Sequence, residues 1–181
     1  ILFLNMVTDV FPALALGMSR GHDDQMRESP RSVGEPILRR KDWWHIAGYS
    51  AVISASVLGV FFAALLGFAM SAGEAVTIAF LSLAGAQLAH VFNMRKNSEH
   101  PIVNQITCNR YVWYAIALCI ALLAAAVFIP AVAIILALHP PSATGWLLIS
   151  IGIASPLILG QICAIVASRL TLRKTHAPAL A

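Results

Sequence analysis

Charge is what this sequence has least of. Only 11% of its 181 residues are Lys, Arg, Asp or Glu, where a soluble domain carries about a quarter. Trp43 to Gly73, Ala75 to Met94 and Tyr111 to Ser168 contain none of the four. A core of this size could not hide uninterrupted apolar runs of that length. A soluble globular domain is therefore excluded, and the class is integral membrane protein, in keeping with a mean hydropathy of +0.80. Cysteine is scarce too. Cys108, Cys119 and Cys163 are odd in number and widely spaced, with no Cys-x-x-Cys pair. No thiolate metal site and no disulfide framework is read from them, only buried spacers. No glycine-rich phosphate loop, convincing repeat or low-complexity linker is present, so one membrane domain over residues 1–181 is expected. Nor is there a basic stretch and cleavage pattern at the start, which excludes a secretory signal peptide. The first residue is Ile1, and we expect it to lie inside a larger protein.

The apolar runs predict an all-α, polytopic, up-down bundle of five transmembrane helices, at about 1–18, 43–70, 75–94, 111–138 and 143–168. The 58 residues from Tyr111 to Ser168 exceed one crossing of a hydrocarbon layer roughly 30 Å thick. His139-Pro140-Pro141-Ser142 divides them, because proline removes a donor and disfavours helix at the residue before it. Trp43 and Trp44 suit an interfacial anchor. Ala47, Ala51, Ala55, Gly59, Ala63 and Gly67 recur every fourth residue. That smooth stripe predicts a face on which a neighbouring backbone packs closely.

The basic residues check the span count. All 12 of them fall in loops 19–42 and 95–110 or in the tail 169–181, and none falls near Gly73 or Pro141. Positive residues stay cytoplasmic, so these segments are expected inside. A net charge of +4 is thus sorted by membrane side and implies no nucleic-acid partner. The basic first loop is expected to be a plain positive-inside anchor, the alternative being docking on acidic headgroups or a cytoplasmic domain.

One span is polar. In Asn5-Met-Val-Thr-Asp-Val-Phe-Pro12, the residues Asn5, Thr8, Asp9 and Pro12 share a face at α-helical offsets. A carboxylate at membrane depth costs on the order of 2.5–3.5 kcal/mol. No basic residue lies in any span, so a cation, a proton or a group outside this chain must compensate Asp9. Carboxylate, amide and hydroxyl oxygens suit calcium, manganese, magnesium or alkali cations. Pro12 cannot donate to the Thr8 carbonyl, which frees another oxygen. We expect Asp9 to face its companion helices or a polar cleft; a side chain turned outward would count against this reading. A protonated Asp9 in a merely kinked helix is the plain alternative. Gln87, His90 and Met94 share a second polar face, with Asn93 nearby; His90 suits a helix–helix hydrogen bond. Glu74 is expected to be simply solvated in a turn.

Asn5 to Gly17 resembles the sixth transmembrane helix of P-type cation-transporting ATPases, most closely the calcium pumps. In that family the helix reads roughly Asn-Leu-Val-Thr-Asp, then a proline and Ala-Leu-Gly. Pro30-Arg31 and Glu35-Pro36 continue the match, and helix count and loop lengths resemble the family's last five helices. The resemblance implies that Asn5 and Asp9 are cation ligands and that Thr8 serves a neighbouring site. Two-ion calcium pumps carry a glutamate in the eighth helix where this chain has Gln87, which resembles the single-ion pumps. The implied ligand set is Asn5, Thr8, Asp9 and Gln87, with calcium as cargo. The implied partners are the lipid bilayer and the rest of the pump. The family's Asp-Lys-Thr-Gly-Thr and Thr-Gly-Glu motifs do not occur in this sequence. ATP and its magnesium would therefore be handled by domains outside it, and the chain is not expected to hydrolyse ATP alone. A different class of reading is a stand-alone five-helix protein that binds or assembles partners without transport. Short loops suggest a bacterial plasma membrane.

Overall fold

In the computed structural model the described residues are 2–18, 34, 36, 38–94 and 105–175, as backbone only at 41, 94, 105 and from 163 onward. Most of the two expected cytoplasmic loops, the end of the tail, and with them Pro30, Arg31, Glu35, the Met94 side chain and the Cys163 side chain lie outside that set.

The described residues contain helices and no strand. In lipid every backbone polar group must be satisfied within the segment, and a helix does this alone. Helix α1 is Leu2–Gly17, with a π-helical turn over Met6–Val10. Helix α2 is Arg40–Phe62, prolonged by a π-helical turn over Ala63–Gly67. Its start is fixed by Asp42, whose carboxylate accepts the Arg39 N–H at 2.8 Å and sits at the positive end of the helix dipole. Helix α3 is Ala72–His90, with a 3-10 turn over Val91–Met94. The Ser71 hydroxyl caps it by accepting the Glu74 N–H at 3.2 Å. A short α4, Gln105–Cys108, leads into α5, Arg110–Phe128.

The run expected to be helical to 138 breaks ten residues earlier. Ile129 is extended (φ −91°, ψ 110°) because Pro130 follows it. Pro130 then opens the short helix α6, Pro130–Ile135, at a position where its missing N–H costs nothing. Helix α7 is Ala143–Thr175 and carries Pro156 in its interior.

Four described stretches are long and apolar enough to cross a membrane: Asp42–Gly67, Ala72–Asn93, Arg110–Phe128 and Ala143–Ile162. Leu2–Gly17 is apolar but shorter. The molecule is an all-α polytopic membrane bundle, with four full-length helices where five were expected and α1 as the shorter fifth.

Helix α3 is central. It packs on α7, α2 and the π turn of α1, while α5 lies along α1. Val7, Ala64, Ala75, Ile78, Ala84, Cys119 and Ile149 meet in one core. Large apolar side chains such as Leu58, Phe62, Leu66, Ile134 and Ile135 point outward. Apolar residues gain little by leaving lipid, so close backbone approach and interhelical hydrogen bonds hold such a bundle. Both are concentrated on α7. A Cβ at Gly152 would lie 2.7 Å from Ser82 Oγ, and one at Gly160 would lie 2.6 Å from Tyr49 Cε1. The Tyr49 hydroxyl donates to the Gly160 carbonyl at 3.3 Å.

Pro156 has no N–H to give the Gly152 carbonyl four residues earlier, and the Ser56 hydroxyl donates to it instead at 3.2 Å. Ser56 also hydrogen-bonds Ser155. At the end where α2 turns into α3, the Ser142 N–H donates to Glu74 Oε1 at 2.8 Å and the His139 N–H donates to Thr77 Oγ1 at 2.9 Å. Glu74 therefore ties two turns together rather than being merely solvated. The Ser-x-x-Glu pattern ahead of an apolar run was the signal for its place at a helix start.

The small-residue stripe on α2 is not where the described helices pack. Ala47, Ala51, Ala55, Gly59 and Gly67 are exposed and Ala63 is half-buried. Nothing lies within 4 Å of a Cβ built at Gly59 or Gly67. Helix α2 uses another face, through Tyr49, Ser56, Val60 and Ala64.

This contrast is testable. Gly152→Ala should lower stability in detergent by about 1–3 kcal/mol, read as an earlier unfolding midpoint. Gly59→Ala should leave the midpoint unchanged or raise it. Equal losses at the two sites would contradict the packing described.

Candidate cation site on α1

Asn5 ends the first four-residue turn of α1, and Thr8 and Asp9 lie inside the π turn Met6–Val10. A π turn pairs each carbonyl with the N–H five residues on, and such turns cluster at functional sites. It also changes which residues share a face. Asn5 and Asp9, four apart, stay together in either geometry. Thr8, only three residues past Asn5, falls well short of a full π turn and swings away. The single face expected from α-helical offsets is accordingly split. Asn5 and Asp9 are exposed, while Thr8 is only 5% exposed and Pro12 is buried.

The expectation that Asp9 faces its companion helices is not met: its side chain is on the outward side of the described bundle. None of the described helices covers that side of α1, and only Thr8 hydrogen-bonds to its carboxylate among the described residues. The Thr8 hydroxyl is 3.0 Å from the Leu4 carbonyl and 3.2 Å from Asp9 Oδ1. One hydroxyl proton cannot serve both acceptors fully. Thr8 is thus a swing donor between its own helix and the carboxylate, and its lone pairs stay available.

Gln87 is half-buried on α3. Its Oε1 atom is buried and has no hydrogen-bond partner among the described residues, as does Ser82 Oγ. A buried amide oxygen left in that state costs about 1–3 kcal/mol. The predicted four therefore do not form one closed shell. Asn5 and Asp9 face outward as a pair, Thr8 points inward beside them, and Gln87 stands on another helix with a vacant acceptor. Among the described residues no three His, Cys, Asp or Glu side chains are grouped to hold a metal. Any shell here is built from carboxylate, amide and hydroxyl oxygens, the ligands of hard cations.

The second polar face is used for packing. The His90 ring lies against the Tyr49 ring, 4.6 Å between centroids and tilted by 52°. This is a ring contact where a hydrogen bond was expected. Asn93 accepts from Gln161 Nε2 at 2.6 Å, a link between α3 and α7 that spacing within α3 could not reveal. One further residue touches the polar helix, and sequence reasoning had set it aside as a spacer. Cys119 of α5 donates its thiol hydrogen to the Val7 carbonyl at 2.9 Å.

The family model for the carboxy-terminal region of cation-transporting ATPases matches residues 1–166. The chain belongs to that family. A calcium-transporting ATPase of Bacillus subtilis is 35% identical over 99 residues, 55% of this chain and 11% of that protein. Calcium-transporting ATPase 1 of Lactococcus lactis is 32% identical over 126 residues, 67% of this chain and 14% of that protein. A P-type sodium-transporting ATPase of Plasmodium falciparum is 46% identical over 44 residues, 24% of this chain and 3% of that protein. The chain spans at most 14% of the length of these three relatives.

The vacant acceptor on α3 gives a direct test. Gln87→Met removes an unpaired oxygen, so stability without divalent cation should be unchanged or higher by up to about 1 kcal/mol. A loss above about 2 kcal/mol without cation would mean that Gln87 already has a partner.

Proposed function

We propose that this chain is the carboxy-terminal membrane part of an ATP-driven pump that moves a divalent cation, with calcium as the cargo. The observation that carries the reading is the match of residues 1–166 to the carboxy-terminal region of cation-transporting ATPases, with calcium-transporting relatives beside it; the outward turn of Asp9 counts against a site completed within the described residues. A carboxylate left against hydrocarbon would cost on the order of 2.5–3.5 kcal/mol. In this reading its exposure among the described residues is met by a cover from the remainder of the pump, with the cation between.

In this reading Asn5 and Asp9 are the main ligands, Thr8 assists Asp9, and Gln87 is a secondary ligand from α3. Manganese and magnesium fit the same oxygen chemistry less specifically. ATP hydrolysis belongs to the part of the pump outside this sequence, where phosphorylation would switch access to the site from one side to the other. The basic loops and tail lie in the cytoplasm by the positive-inside rule, and a bacterial plasma membrane is the setting.

The test is Asp9→Asn in the full-length product, measured as calcium-dependent phosphorylation and ATP hydrolysis in membrane vesicles. Removing one charge of a paired buried set costs about 2–5 kcal/mol, so half-activation should move by roughly 30-fold or more. Full turnover at unchanged calcium concentration would refute the ligand assignment.

A further inference from the structure

We propose that Cys119 is a positioning residue for the cation helix. Its hydrogen bond to the Val7 carbonyl holds the π turn of α1 in the rotation that keeps Asn5 and Asp9 on the outward side. The inference rests on reading those two residues as ligands.

The geometry is specific. Val7 stands between Asn5 and the Thr8-Asp9 pair, and both Val7 and Cys119 are fully buried. The Cys119 thiol reaches the Val7 oxygen at 2.9 Å across 112 residues of sequence. In a π turn the donor for a carbonyl is the N–H five residues on. For Val7 that residue is Pro12, which has no N–H. A carbonyl in hydrocarbon without a donor is costly, and a neighbouring helix is the available source. The thiol fills this need, just as the Ser56 hydroxyl does for the Gly152 carbonyl opposite Pro156.

The same helix holds α1 a second time. Asn109 Nδ2 donates to the Ala15 carbonyl at 3.0 Å. Asn109 and Cys119 are separated by about 15 Å of helix, and Val7 and Ala15 by about 12 Å, so the two bonds form a two-point grip along antiparallel axes. Each off-axis bond resists rotation of α1 about its own axis, and two of them along its length also fix its tilt against α5. Rotation is what decides whether Asn5 and Asp9 stay on the outward side and Thr8 stays inside. A buried thiol is chemically inert, so the role assigned is hydrogen bonding alone.

The experiment uses the full-length product in membrane vesicles, with calcium dependence of ATP hydrolysis as the readout. Cys119→Ala removes the donor, and Cys119→Ser keeps one in nearly the same volume as alanine. Cys119→Ala should raise the calcium concentration for half-activation about three- to tenfold, with the maximal rate within about twofold. Cys119→Ser should restore half-activation. Cys119→Val fills the site without a donor and should behave as Cys119→Ala; it takes that variant's place if alanine fails to accumulate. A residue that only packs would give alanine and serine the same phenotype, and that result overturns the proposal. So does wild-type half-activation in both donor-free variants. Asp9→Asn is run in parallel. If it leaves calcium activation unchanged, the ligand reading has failed. If it abolishes activation while the Cys119 variants match wild type, only the Cys119 assignment has failed.

Discussion

A backbone carbonyl in hydrocarbon has no water to turn to, and each proline inside an apolar helix takes a donor away from one. The bundle answers this constraint twice with side chains from neighbouring helices. Ser56 of α2 reaches the carbonyl that Pro156 leaves open, and Cys119 of α5 reaches the one at the π spacing from Pro12. Each bond requires close approach, and close approach sets the packing. Gly152 carries no side chain where α7 meets Ser82 of α3, and α5 lies along α1 between the contacts at Asn109 and Cys119. Local chemistry at two prolines thus reaches outward into the arrangement of five helices.

The cation chemistry follows from the same constraint. An unbroken α-helix would have placed Asn5, Thr8 and Asp9 on one face. The π turn separates them, burying Thr8 and leaving Asn5 and Asp9 together outside. In the proposed reading, that pair of oxygen-bearing side chains on an uncovered face is half of a site. The chain belongs to the cation-transporting ATPase family and spans only a small part of its relatives' length, and the proposal puts the other half of the site in the remainder of the pump.

Much of this was legible in the sequence because lipid imposes long uncharged runs. The start of α7 falls at 143, where the Pro140-Pro141 pair puts it, while α2 and α3 each start three residues ahead of the expected 43 and 75. The family was legible from Asn5, Thr8, Asp9 and Pro12 in order. The break at Ile129 was missed because Pro130 sits in an otherwise unbroken apolar run and the stronger His139-Pro140-Pro141 signal drew the boundary. The stripe of small residues on α2 reads the same whether its neighbour is inside or outside the chain, so spacing alone could not say that the described helices leave it bare. The π turn, the orphan oxygen of Gln87 and the thiol bond of Cys119 all depend on contacts between helices far apart in sequence. No periodicity within one helix encodes such contacts.

The most direct measurement is an experimental structure of the full-length product with calcium bound. The account predicts side-chain oxygens of Asn5 and Asp9 within about 2.3–2.6 Å of the cation, with helices from outside these 181 residues closing over them. A cation bound elsewhere, with Asp9 facing lipid, would contradict it.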